Sequence, residues 1–417
     1  MKITQIVAVS LVGLLALWYV AALKAPVLIV TPSRPPAPKA NGFPGLQAAA
    51  AKIVRADDVM DATSTHPPRP WTTAQKRDLV LANSRVLQDA HAALKLPYYQ
   101  PNTMLSVNDT LLITAKPFRH LTRALTLAGD AAWTDGKQTE ATGYYLDAVT
   151  LGRRVPNRGG LLQALSGMAC ETIGRARLWR HIEGMNVATA TLCLTRLNPL
   201  EAERVHFSTT LAEEKYSLQS MAQEVMTHPE RIRTTDEGDD GDKNDSPVSY
   251  GDLVPPRYVM DTMGSHMDKL IAQSKRPYIE GNAEIPCPRE LYTMILAPIT
   301  TGARTKYVAN DAGNALLRTA LALRVHRLQT SVYPATLDKL VAAKLLPAVP
   351  TDPFALPGTA LHYRPAPNNK YVLYSIGPDG VDDNNGRGIV GKSTSGAVIR
   401  HANGDSKGDM LAGWYTY

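Results

Sequence analysis

The chain has 417 residues, with 45 Lys and Arg against 38 Asp and Glu, a formal net charge of +7, and three cysteines. This length suffices for two or three cores. The basic residues are scattered, with no Lys/Arg block and few Phe or Trp nearby, which argues against nucleic acid as a partner. Cys170, Cys193 and Cys287 lie too far apart for a Cys-x-x-Cys motif or a disulfide ladder.

Between Lys2 and Lys24 lie 21 uncharged residues, ITQIVAVSLVGLLALWYVAAL. As a helix this run is roughly 30 Å long, the thickness of a bilayer core. Trp18 and Tyr19 fall near one end, where interfacial aromatics belong. Residues 1–24 are therefore expected to form a transmembrane signal anchor. The alternative is a cleaved secretory signal ending near Val20-Ala21-Ala22. Lys24, Arg34 and Lys39 follow the run, so the positive-inside rule alone would leave the body cytoplasmic. Residues 25–45 are rich in Pro and small residues and read as an extended spacer lifting the body off the membrane.

Residues 46–230 read as an α-helical domain. Thr72 or Thr73 caps a helix expected to run to Leu96, with Leu79, Val86, Ala90 and Leu94 on one face. The segment ALTLAGDAAWTDGKQTEATGYYLDAV resembles one tetratricopeptide unit through Gly129, Gly136, Ala141, Tyr145 and Ala148. Leu125 replaces its early Trp and no second copy follows, so a generic α-hairpin is the alternative. Further helices are expected at 160–182, 187–197 and 199–227. Glu171 and Arg175, four apart, read as a solvated pair, as do Glu213 and Glu214 on the next helices. Residues 231–256 are acidic and poor in apolar side chains, which predicts a disordered loop. Residues 257–313 continue in helix.

The region 314–417 carries the most ordered signals. A helix over Asn314–Gln329 leads to Tyr333-Pro334, where Pro disfavours helix in the residue before it. A short helix at Thr336–Ala343 precedes the turn Pro350-Thr351-Asp352-Pro353-Phe354. Two β-rich runs, Leu361–Arg364 and Tyr371–Ile376, are joined by Asn368-Asn369, which tolerates positive φ. The strands would cover the stripe Leu316, Leu317, Ala320, Leu321, Leu323 and Leu328. The last signal is Gly377-Pro378-Asp379-Gly380.

In this order the motifs Tyr-Pro, Asp-Pro-aromatic, a Tyr-bearing strand and Tyr-x-x-x-Ser-x-Gly-x-Asp-Gly resemble the C-terminal domain of the major pseudopilin of type II secretion. The resemblance implies an α+β domain, a helix packed on a small antiparallel sheet, placed in the bacterial envelope with its bulk in the periplasm. It also implies a calcium ion on the Asp-Gly loop, carried over to Asp379, with Asp409 as the later loop carboxylate and Asp382 and Asp383 nearby. An Asx-rich loop held by its own hydrogen bonds is the alternative. Pseudopilins carry a short leader and an early Glu in a helix that runs straight into the domain; here the span begins at Ile3, lacks that Glu and is separated from the domain helix by the helical middle.

The run Gly386–Ser393 matches the phosphate-loop pattern letter for letter. That chemistry needs a strand before it and a helix after it. Here the preceding run is acidic and the following TSGAVIR reads as strand, so no nucleotide is expected. No His-Glu-x-x-His or Gly-x-Ser-x-Gly occurs. The whole chain thus reads as an N-terminal transmembrane helix, an all-α middle domain and an α+β tail. Its expected role is binding or scaffolding among protein partners in the envelope, related to type II secretion-like machinery. The alternative is an enzyme with its site in the helical middle, which a deep cleft of converging polar groups would mark.

Overall fold

The computed structural model describes residues 3–25, 27, 29–34, 36–64, 67–101, 112–228, 254–281, 283–296, 301–384, 391–392, 398–399 and 406–413. Most of the acidic stretch 231–256 lies outside them. The uncharged N-terminal run forms α1 (Ile3–Leu23). From Val12 onward its described side chains include the exposed Leu14, Leu17 and Trp18. Among the described residues, no helix is long and apolar enough to cross a membrane.

The described residues of 25–42, in the Pro-rich stretch after α1, lie in neither helix nor strand, and they do not stand free. Val27 packs on a helical core, and Arg34 donates to Glu213 and, at 3.2 Å, to the Arg158 carbonyl. The described residues of 25–34 therefore act as a strap on the body, because the Arg34 guanidinium pairs with a buried carboxylate 179 positions away.

Three apolar cores follow. The first gathers α2 (Phe43–Ala51), α3 (Ala56–Ala62), α4 (Thr73–Ala82), α5 (Ser84–Leu94) and α6 (Leu112–Thr134) around Leu46, Leu79, Leu121 and Leu125. Thr72 caps α4 in a capping box with Gln75. The helix expected to reach Leu96 is two helices, broken at Asn83. The buried Asn83 side chain donates to the Val54 and Leu79 carbonyls and accepts from Val54 N–H at 2.8 Å. That tertiary pairing outweighs continued helix at a residue of weak helix propensity.

The second core is formed by α7 (Gln138–Arg154), α8 (Leu161–His181), α9 (Val187–Leu200) and α13 (Thr301–Thr330) with the sheet. α6 and α7 make an antiparallel hairpin whose turn holds Gly136 at φ 75. Tyr145 is fully buried against Gly129, where an added Cβ would lie 2.3 Å from the ring. Its hydroxyl donates to Asp130 at 2.9 Å. A third, smaller core joins α10 (Phe207–Thr227), α11 (Pro256–Ser274) and α12 (Leu291–Leu296) through Leu218, Met263 and Met267.

The C-terminal region is α+β. α13 runs to Thr330, Ser331 turns at φ 69, and α14 (Asp338–Ala342) follows. β1 (His362–Ala366), β2 (Lys370–Ser375) and β5 (Met410–Leu411) form an antiparallel sheet in the order β1-β2-β5. β3 (Gly391–Lys392) and β4 (Val398–Ile399) form a separate antiparallel pair. Lys392 of the phosphate-loop look-alike thus lies in a strand and not at a helix N-terminus.

The expected stripe on α13 is present, and Leu316, Leu317, Ala320, Leu321 and Leu323 are buried. Leu328 is exposed at 37%. The helix is not a lone one laid on strands. Ala312, Thr319, Ala322 and Val325 are buried as well, so it is enclosed on nearly all sides by α8, α9 and the sheet. A boundary at 313/314 falls inside it.

Gly129→Ala is expected to cost about 1–3 kcal/mol in urea unfolding, because the new methyl would collide with the Tyr145 ring. Gly143→Ala, in the same hairpin with open space at its Cα, should be neutral or stabilising by up to about 1 kcal/mol. Equal costs for the two would refute the close-approach role of Gly129.

Candidate functional site

The carboxylates singled out in the C-terminal loop are brought partly together. Glycines at positive φ, Gly377, Gly380 and Gly408, make the turns that allow it. Asp379 accepts from Gly408 N–H at 3.0 Å and from Val381 N–H at 3.3 Å. Asp409 is fully buried and accepts from Asp383 N–H at 3.3 Å. Asp382 points elsewhere: it accepts from the Tyr374 hydroxyl at 3.0 Å and from Asn384 N–H, and lies 3.4 Å from His362 Nδ1. Among the described residues, no three His, Cys, Asp or Glu side chains gather to hold a metal ion. Asp379, Asp382 and one oxygen of Asp409 accept hydrogen bonds from the chain's own donors. Residues 385–390, 393–397 and 400–405 of the same region lie outside the described residues.

Asp352, read from sequence only as a turn former, does more. It is buried, accepts from Phe354 N–H and Ser375 Oγ through one oxygen, and from Ile376 N–H at 2.8 Å through the other. It thereby fastens the Asp-Pro-Phe turn to the end of β2. Burial raises its pKa above the ordinary carboxylate range, against the pull of those donors.

A groove of about 550 Å³ runs beside the opposite end of β2. Its walls are Lys370–Leu373 of β2, Leu411 of β5 and Ala412 after it, and Glu183, Arg327 and Tyr333 across the gap. Tyr333 meets Tyr371 edge-on at 4.8 Å, and Arg327 donates to the Tyr333 hydroxyl at 3.2 Å. A second open groove lies beside the α6–α7 turn, lined by Lys137, Gln138, Glu140, Asn186 and Arg324.

In the helical middle, polar groups converge in the interior, where their own side chains fill the space. Glu171 and Arg175 are not a solvated surface pair: both are buried. Glu171 accepts from Asn310 Nδ2 at 2.6 Å and Asn314 Nδ2 at 2.9 Å, and lies 3.3 Å from Arg153 Nε. Arg175 donates to the side-chain oxygens of the same two asparagines at 2.9 and 2.8 Å. Beside them Asp311 faces Arg204 at 2.5 Å and Arg153 at 3.8 Å. Burial pushes Asp311 up to about 6, with Arg204 and Arg153 acting the other way. At Arg153 burial is likewise the largest influence, yet Glu171, Asp311 and Glu201 together outweigh it and raise the pKa.

Glu213 and Glu214 are not a solvated face either. Glu213 is buried against Arg34, and Glu214 accepts from Leu161 N–H at 2.6 Å at the start of α8. Burial raises the Glu214 pKa. Of the histidines, His91 is held through Nδ1 by the buried Asp147 at 2.6 Å, and Asp147 also pairs with Arg196. Cys170 and Cys193 are buried and inert, their pKa values pushed up to about 11 and about 12 by burial, while Cys287 is exposed. No family model, no curated protein and no solved structure matches the chain.

Two expectations follow. Folded Asp311 keeps its proton up to about 6, whereas the unfolded chain releases it near 3.8, so its contribution to stability falls as pH rises between those values. Asp311→Asn should remove that slope, changing the pH 4 to pH 7 stability difference by on the order of 1–3 kcal/mol. Superimposable pH profiles of the two proteins would refute it. Asp379→Ala should lower the melting temperature by the same amount in calcium and in chelator, since its donors belong to the chain. A loss seen only with calcium present would assign the loop to the ion.

Proposed function

We propose that this chain is a membrane-anchored protein of the bacterial envelope with a binding or scaffolding role, linked to type II secretion-like machinery. The observation that carries the reading is the build of the C-terminal region. A long helix, a Tyr-Pro stop, an Asp-Pro-Phe turn, a Tyr-rich hairpin and an Asp-Gly loop follow one another, and the sheet they form leaves an open groove on its flank. An open groove suits recognition of another chain better than sequestered chemistry, which needs an enclosed pocket.

The anchor part rests on the uncharged run from Ile3 to Leu23 and on the outward apolar side chains from Val12 to Val20. In this reading the strap holds the helical body close to the bilayer, because Arg34 is clamped to Glu213. Assembly into a pseudopilus is not part of the proposal, since the anchor and α13 are separated by the whole helical middle.

A phosphatase reporter fused after Tyr417 tests the placement. Activity is expected on the periplasmic side, with the chain staying in the membrane fraction after carbonate washing. Activity confined to the cytoplasm, or release into the wash, would overturn it.

A further inference from the structure

The sheet has two edges, and they differ. β5 covers β2 only along Tyr374 and Ser375, and the last bond on this side runs from Ala412 N–H to the Leu373 carbonyl at 2.9 Å. Backbone groups alternate along a strand, so the next pair facing this side belongs to Tyr371, beyond the reach of β5. They open onto the 550 Å³ groove. On the outer edge of β1 the corresponding position is Pro365, the register partner of Tyr371, which has no N–H to offer. One edge is thus blocked at this position by proline, and among the described residues the other presents a donor and an acceptor together inside a groove.

The charges across the groove are unbalanced. Arg327 and the exposed Lys370 line it against one carboxylate, Glu183, which Arg327 meets at 3.4 Å and which Arg324, outside the groove, also meets at 3.3 Å. Tyr371 and Leu373 face α13, so a residue paired with Tyr371 would direct its side chain toward Arg327 and Tyr333.

We infer that this groove takes an extended peptide, antiparallel to β2 and in line with β5, with an acidic residue opposite Tyr371. The Tyr371 N–H and C=O would exchange two hydrogen bonds with that residue, and its carboxylate would meet Arg327. The inference rests on the binding role proposed above, but not on the membrane placement, which the reporter tests separately.

The experiment is a fluorescence-anisotropy titration of the full chain with a labelled, capped pentapeptide, Thr-Val-Glu-Val-Thr. Saturable binding is expected. A central lysine should weaken it by about tenfold or more, and N-methylation of the central glutamate should abolish it, because the strand donor is lost. Arg327→Glu, at a half-exposed position, should reverse the preference between the glutamate and lysine probes. No saturation up to about 1 mM, equal binding of the two probes, or undiminished binding of the N-methylated probe would overturn the proposal. So would binding that appears only when residues 414–417 are deleted, which would give the groove to this chain itself. A dimer broken by Arg327→Glu would give it to a second copy, with the same consequence.

Discussion

Asn310 and Asn314, one helical turn apart on α13, each bridge Glu171 and Arg175 of α8. Each amide donates to the carboxylate and accepts from the guanidinium, so the two charges are separated and yet neutralised by the same pair of side chains. Arg153 of α7 and Asp311 extend the arrangement to a second ion pair. Everything C-terminal to α13 hangs from this junction. The sheet, the Asp352 clasp and the groove all sit on the far half of the helix, in one apolar core with α7, α8 and α9.

A buried network of this kind adds little net stability, because removing charges from water costs about as much as pairing them returns. What it fixes is register. Sliding α13 by one residue would take both asparagine amides away from Glu171 and Arg175, and buried charges that lose hydrogen-bond partners cost several kcal/mol. The apolar surface of α13 could not fix it alone. It is alanine- and leucine-rich on nearly every side, and such a helix can be rotated without losing much burial.

The features legible in the sequence are those whose cause lies within a few residues. Thr72 and Gln75 make a cap three positions apart, Gly129 and Tyr145 meet across one tight turn, and Asn368-Asn369 closes a hairpin. The features that were misread have distant causes. Glu171 and Arg175 look like a surface pair because their asparagine partners lie about 140 positions away. Asn83 breaks a helix for the sake of Val54, and the Pro-rich strap is pinned by Glu213. Asp352 was visible as a turn former, but its grip on Ser375 and Ile376 depends on strand pairing that local spacing does not encode.

The same distinction bears on function. In the oxygen-rich loop, which stands out in the sequence, Asp379, Asp382 and Asp409 accept hydrogen bonds from the chain itself. The groove beside β2 is inconspicuous in the sequence, because its walls come from the α8–α9 turn, the end of α13, β2 and the residues after β5. Among the described residues β5 pairs with β2 only at Tyr374 and Ser375, and Arg327 and Lys370 line the groove against the one carboxylate of Glu183. Under the peptide proposal the Tyr371 N–H and C=O supply the pairing, and Pro365 on the opposite edge confines it to one side of the sheet.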